Sequence, residues 1–178
     1  TLSKLSSKFN FTAEKIEKFE IDEINVSSTK IRKALTEGNI EKANKYLSYD
    51  YFIKGMVVQG MHIGQTIGFP TANIQPLNKL KIVPSNGIYI TEINLENQNY
   101  HGVVNIGYRP TFNSNKELVS IEIHILDFNR NIYESEITIT FKKRLRDEIK
   151  FTNIAELRQQ IASDVEKTRQ FFREKINI

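Results

Sequence analysis

The stretch Gly60-Met-His62-Ile-Gly64-Gln-Thr-Ile-Gly68-Phe69-Pro70-Thr71-Ala-Asn73 holds the residue types best suited to chemistry in this chain. Three glycines at four-residue intervals let backbone N–H groups turn inward and approach an anion closely, because no Cβ stands in the way. Thr71 and Asn73 then offer hard oxygen ligands of the kind Mg²⁺ takes beside phosphate oxygens. Pro70 fixes the backbone just ahead of them, and His62, inside the loop, could touch phosphate. The plain alternative is that these glycines only build tight turns. Neither the nucleotide-binding P-loop nor the dinucleotide fingerprint is present.

Two further places offer functional groups. Glu122 and His124 stand two residues apart on the polar side of an otherwise apolar run, a position where most glutamates simply meet solvent. Ser27-Ser28-Thr29-Lys-Ile-Arg32 puts hydroxyls and a guanidinium at a helix start, where unpaired backbone N–H groups favour phosphate. Read plainly, it is an N-cap followed by a basic helix face. His101, at the start of a strand, is expected in solvent, and no histidine cluster suggests zinc.

The elements that must position these groups fall into two segments. Residues 1–48 are Lys/Glu-rich and helical in pattern. Ser27 and Ser28 precede Ile31 and Leu35 at helical spacing, and Gly38 is a stop signal. A second short helix carries Ile40, Ala43 and Leu47, while Phe19, Ile21, Ile24 and Val26 suggest a short strand ahead of the first helix. From residue 49 the pattern turns to β, with runs at 51–58, 87–95, 101–106, 118–126 and 132–141 separated by turn residues, as in a barrel or sandwich. In the fourth run Val119, Ile121, Ile123 and Ile125 face one way and Ser120, Glu122 and His124 the other. The tail reads as one long helix, capped at Asn153 with Glu156 three residues on. Its apolar stripe is Ile154, Leu157, Ile161, Val165 and Phe172, which must pack on the barrel.

Composition narrows the classes. The 178 residues are 39% hydrophobic, enough for one domain with a flanking segment. Cysteine is absent, which removes disulfides, thiolate metal sites and a cysteine nucleophile. No apolar run approaches the roughly 20 residues that span a bilayer, and the first residues carry no signal-peptide pattern, so a cytoplasmic setting is expected. The chain opens on Thr1 rather than Met, as a segment of a longer protein would. Its 25 Lys and Arg against 21 Asp and Glu leave a surplus of +4 that could serve nucleic acid, an anionic membrane or a phosphorylated substrate. The basic residues are scattered among acids, and aromatic platforms in a basic groove are missing. Neither nucleic acid nor membrane is therefore expected as a partner.

Taken whole, Gly60-x-x-x-Gly64-x-x-x-Gly68-Phe-Pro-Thr-Ala-Asn73 resembles the signature of the riboflavin kinase family. Further pieces follow in that family's order: Asn86-Gly87-Ile88-Tyr89, Val104-Asn105-Ile106-Gly107, Pro110-Thr111-Phe112, Ile121-Glu122-Ile123-His124, and Arg144-Leu145-Arg146-Asp147-Glu148-Ile149-Lys150-Phe151. The match covers about 51–172. Val26-Ser27-Ser28-Thr29-Lys30-Ile31-Arg32 is similar to a motif near the end of the FMN adenylyltransferase domain that precedes the kinase in bacterial FAD synthetases.

The resemblance implies a six-stranded Greek-key β-barrel with a long C-terminal helix, in residues 49–178. Residues 1–48 would be a short helical remnant of an α/β nucleotidyltransferase domain. It implies riboflavin and ATP as substrates meeting at the barrel mouth, with FMN as product. Phosphates would lie under Gly60, His62, Gly64, Gly68, Phe69 and Pro70, with Mg²⁺ at Thr71 and Asn73. Glu122 matches the catalytic base, which fits physically, because a primary alcohol is a weak nucleophile that a nearby carboxylate can orient and deprotonate. Flavin contacts are expected from Arg146, Glu148, Ile149, Phe151 and Leu157, with Leu145 as a further wall, although Arg146 could instead face phosphate. Ser27, Ser28, Thr29 and Arg32 would be the remnant's phosphate motif. The full family's upstream domain would be the missing partner, and its His-x-Gly-His motif does not occur here. Two departures stand out: Tyr133-Glu134 replaces a usual Tyr-Gly, which could alter that turn, and Gln65 replaces a residue that is often basic.

Overall fold

A sheet that closes on itself leaves no strand edge exposed, and this chain takes that solution. A computed structural model describes residues 2–12, 14, 20–21, 24–60, 63–109 and 118–176. Within them, α1 (Leu2–Phe9) is followed by a two-stranded ribbon of β1 (Glu20–Ile21) and β2 (Ile24–Asn25). Helices α2 (Ser28–Thr36) and α3 (Ile40–Leu47) come next. The barrel is built from β3 (Phe52–Val58), β4 (Ala72–Pro76), β5 (Gly87–Leu95), β6 (Gln98–Arg109), β7 (Leu118–Ile125) and β8 (Glu136–Arg146). A single turn, α4 (Ile63–Thr66), lies between β3 and β4, and α5 (Ile154–Ile176) closes the chain. Strand order around the barrel is β3-β4-β7-β6-β5-β8, every neighbour antiparallel. Three hairpin-linked strands, β5, β6 and β7, followed by β8 returning beside β5, make this the expected Greek key.

The interior is filled by alternate residues, among them Ile53, Val57, Ile74, Val104, Ile106, Ile121, Ile123, Ile137 and Phe141. In β5 the pattern of burial is continuous rather than alternating, because register shifts at Ile88/Tyr89 and Ile90/Thr91 rotate the strand. Ile88 thereby leaves the barrel core and joins Val103, Leu126, Leu145 and Val165 in a second, smaller cluster. Val165 belongs to α5, so this cluster is the seam between helix and barrel.

Helices α2 and α3 are joined to the same core as the barrel through Ala34, Leu35, Ile40 and Ala43. Ser27 caps α2 by accepting from the Lys30 N–H at 3.3 Å, and Asn39 caps α3 by accepting from Lys42 N–H at 3.1 Å. Between them Gly38 takes φ +73°, the left-handed stop its position suggests. Asn44 stitches α3 to the sheet, donating to the Phe141 carbonyl at 2.9 Å and accepting from the Tyr51 N–H at 2.8 Å.

Several expectations are corrected. The strand β4 interrupts what reads as loop, since its five residues hold one core side chain, Ile74, too few for periodicity to show. The β6 strand starts at Gln98 because Glu96 and Asn97, both at positive φ, form a tight hairpin without glycine. Residues 132–135 are turn and not strand. Val119 is 45% exposed although it shares a face with Ile121, since it stands at the strand's end beyond the core. Ile154 is 68% exposed, because the first turn of α5 overhangs the barrel. His101 is only partly in solvent, because one face of its ring stacks on Phe172 of α5, ring centres 3.6 Å apart at 5°. Burial of this ring lowers its pKa. The turn at Tyr133-Glu134 keeps a glycine-like shape, with Glu134 at φ +63°. Among the described residues no helix is long and apolar enough to cross a membrane.

Candidate active site

Glu122 sits on the outer wall of the barrel, in the middle of a row drawn from three strands. Its register partners are Asn73 of β4 on one side and Asn105 of β6 on the other. Directly opposed side chains in antiparallel strands stand about 4.5–5.5 Å apart at Cβ. Residues from three separate stretches of sequence are thus neighbours. His124, two positions along β7, shares the outward face.

Above this row lies a cleft of about 290 Å³. Its floor is Ile88, Val103, Asn105, Glu122 and His124, and one wall is the turn carrying Gly64, Ile67, Phe69 and Thr71. The other wall is Arg146, Glu148, Ile149 and Phe151 from the end of β8, with Leu157, Ile161 and Asp164 of α5. The lining is mostly apolar, with Asn105, Glu122 and His124 as polar groups of the floor and Thr71, Arg146, Glu148 and Asp164 on the walls. Asn105 Oδ1 is buried with no hydrogen-bond donor to meet it, which leaves it an acceptor for a ligand O–H or N–H.

A second cleft, of about 370 Å³, opens at the end of the barrel. The inward-facing Val57, Ile123 and Ile125 form its base, and Phe128, Arg130, Asn131 and Tyr133 form its rim. Pro70, Thr71 and Ala72 form its remaining side. Thr71 lines both clefts. The two clefts thus meet at the barrel rim, one on the outer wall beneath α5 and one at the barrel's end, with Thr71 common to both.

The glycines earn their places by close approach. A Cβ at residue 64 would lie 2.3 Å from the Phe69 carbonyl and 3.0 Å from Thr71 Oγ1, so only glycine allows the turn to fold back on itself. At residue 60 a Cβ would fall 1.7 Å from the Asn73 amide. Gly68 adopts φ +84°. Phe69 N–H donates to the Gly64 carbonyl at 2.9 Å, closing the loop.

Of the other expected residues, Glu148, Ile149, Phe151 and Leu157 line the outer-wall cleft. Arg146 does too, but its guanidinium is committed: Nε and Nη2 donate to Asp164 Oδ2 at 3.0 and 2.7 Å, and Nη1 donates to the Asp147 carbonyl at 2.8 Å. Gln160 donates to the remaining oxygen of Asp164 at 3.0 Å. Asn73 lines neither cleft, although it pairs in register with Glu122. Ser27, Ser28, Thr29 and Arg32 are exposed and line neither cleft, with Ser27 acting as the helix cap. His62 and Pro110-Thr111-Phe112 lie outside the described residues. Sequence reasoning missed Asp164, Ile161, Val103 and the whole Phe128–Tyr133 rim. Asn105 had a signal, a polar residue between core positions, but no stated role.

Fold and paired clefts together define a small closed-barrel domain with two adjoining clefts sized for small-molecule ligands. Residues 47–172 match the family model described as Flavokinase, riboflavin kinase. The chain belongs to the riboflavin kinase family. It is 44% identical over 158 residues to the bifunctional riboflavin kinase/FMN adenylyltransferase of Bacillus subtilis, covering 88% of this chain and 50% of that protein. It is 38% identical over 172 residues to the protein of that name from Haemophilus influenzae, covering 96% and 54% respectively. The chain thus spans about half the length of the curated relatives it matches. A crystal structure described as a macrolide-efflux protein from Streptococcus pneumoniae is similar at TM-score 0.86 and 33% identity, covering 95% of this chain and 55% of that one. What the two share is the fold.

Proposed function

We propose that this chain transfers the γ-phosphate of ATP to the terminal ribityl hydroxyl of riboflavin, giving FMN and ADP. The observation that carries this reading is that a single residue, Thr71, borders both clefts, as expected where two substrates meet. The apolar outer-wall cleft suits a planar ring and contains Glu122, so riboflavin is assigned there. The rim cleft, with Phe128, Tyr133 and Arg130, is left for the nucleotide.

In this arrangement Glu122 orients the riboflavin hydroxyl and takes its proton as the new O–P bond forms and the bond from Pγ to the ADP oxygen breaks. Asn105 accepts from a substrate hydroxyl or N–H. The turn that carries Gly64 and Ile67 borders the riboflavin cleft, and Thr71 at its end reaches the rim cleft, where the phosphates would lie. Among the described residues no His, Cys, Asp or Glu cluster could hold a metal ion. A neutral donor such as Thr71, with Asn73 near it, fits Mg²⁺ that arrives on the nucleotide with most of its ligands from phosphate and water. Such an ion would neutralise charge on the transferring phosphate.

The relatives' names carry a second activity, adenylyl transfer to FMN. We assign this chain the kinase half alone, with residues 1–48 as the end of a nucleotidyltransferase domain, and place it in the cytoplasm. The test is chromatography of flavins after incubation with Mg-ATP. Riboflavin should be converted to FMN, and FMN should not become FAD. Absence of FMN sinks the kinase reading, and FAD formation by this chain sinks the division of labour.

A further inference from the structure

The outward face of β7 presents a histidine beside the proposed base. We infer that His124 is a positioning residue, which fixes the turn carrying Thr71 relative to the strand carrying Glu122. This rests on the function proposed above, but its geometry stands independently.

Nδ1 of His124 lies 2.8 Å from the Pro70 carbonyl oxygen. A carbonyl only accepts, so Nδ1 carries the proton. That carbonyl belongs to the same planar peptide unit as the Thr71 nitrogen. One hydrogen bond from β7 therefore sets the orientation of the peptide that enters Thr71. The imidazole also meets the Phe69 ring edge-on, centroids 5.5 Å apart at 81°. Phe69 and Pro70, the two residues before Thr71, are thus both held by one side chain. On its far side the turn is closed by the Phe69 N–H bond to Gly64, at 2.9 Å. The loop cannot tilt without breaking one of these contacts.

The arrangement links two parts of the reaction that the sequence keeps 51 positions apart, counting from Thr71 to Glu122. Both His124 and Glu122 line the outer-wall cleft, and Thr71 borders both clefts. The backbone bond at Nδ1 is the same whether or not Nε2 carries a proton. His124 acts through Thr71 rather than by donating or receiving the transferred proton.

The test is a series of three substitutions. In His124→Asn the amide nitrogen falls near the place of Nδ1, in His124→Gln it falls near Nε2, and His124→Ala has neither. Amide hydrogen exchange across residues 69–74 and steady-state kinetics are measured on each. His124→Ala and His124→Gln should speed exchange in this stretch and lower kcat/KM for Mg-ATP about 10- to 100-fold, as displacement of a positioned group does. His124→Asn should recover both readouts to within about 3-fold of wild type. The inference is overturned if Asn behaves as Ala or if Gln behaves as wild type. A wild-type chain that makes no FMN would instead overturn the kinase reading. Exchange alone would then judge the clamp, and unchanged exchange in His124→Ala would overturn it.

Discussion

Replacing Asp164 by asparagine removes one charge from the seam between α5 and the barrel while keeping the side chain's shape. Its side chain is only 2% exposed, and that of its partner Arg146 is 17% exposed. Three donors converge on the carboxylate, Arg146 Nε at 3.0 Å, Arg146 Nη2 at 2.7 Å and Gln160 Nε2 at 3.0 Å. Hydrogen bonds to a charged group contribute about 1.5–3 kcal/mol, and removing one partner of a buried ion pair costs about 3–5 kcal/mol. Asparagine keeps one acceptor oxygen, but its NH₂ must face either Arg146 or Gln160, donor against donor. The expected loss is therefore about 2–4 kcal/mol, a large share of the 5–15 kcal/mol typical of a domain. Urea unfolding in 0.1 M and 1 M NaCl measures it. Because the pair is buried, salt should leave the loss intact. Asp127→Asn, at the exposed pair with Arg169, should stay within about 0.5 kcal/mol of wild type. Since α5 supplies Leu157 and Ile161 to the outer-wall cleft, the KM for riboflavin should rise more than that for ATP. A loss below about 0.5 kcal/mol, or one abolished by 1 M NaCl, would refute the reasoning.

Glu122→Gln should lower kcat by roughly 10²–10⁴-fold while nucleotide binding persists, the range for a positioned general base; near-normal turnover removes it from that role. Glu134→Gly should stabilise the chain by about 1 kcal/mol, because the native residue holds φ +63° where only glycine is unstrained, and an unchanged urea midpoint would count against it. His101 has a lowered pKa, chiefly from burial, with Glu92 opposing and Lys142 adding to the shift. Its neutral form therefore belongs to the folded state. The unfolded chain binds the proton first as pH falls below about 6.5, so stability present above that value drains away on acidification through the folded-state pKa. His101→Phe keeps a ring against Phe172 and should flatten the fall in Tm between pH 7.5 and 5; an equal fall in both proteins would show that other groups carry it.

Much of the barrel was legible because inward and outward positions alternate along β7 and β8, and local periodicity survives in any single chain. Helix boundaries at Ser27, Gly38 and Asn153 were legible for a similar reason, since caps are local chemistry. β4 was not, because one core residue in five makes no pattern. It is a strand because β3 and β7 must be bridged for the sheet to close. The exposed Ile154 and Val119 show the same limit, since periodicity assigns a face but not where the partner surface ends. His101 was misplaced because the ring that covers it lies 71 positions away, at Phe172.

By itself, the order of residues determined which groups are available: a glycine-rich turn ending in Thr71, a carboxylate at 122 on a polar strand face, and an apolar helix to cover it. It also determined the family. Only the tertiary structure decided that Asn73, Glu122 and Asn105 form one row, that Thr71 lies between two clefts, and that Arg146 serves Asp164. Those relations depend on register between strands distant in sequence and on the seat of α5. Both are set by closure and packing of the whole barrel, which no local stretch encodes.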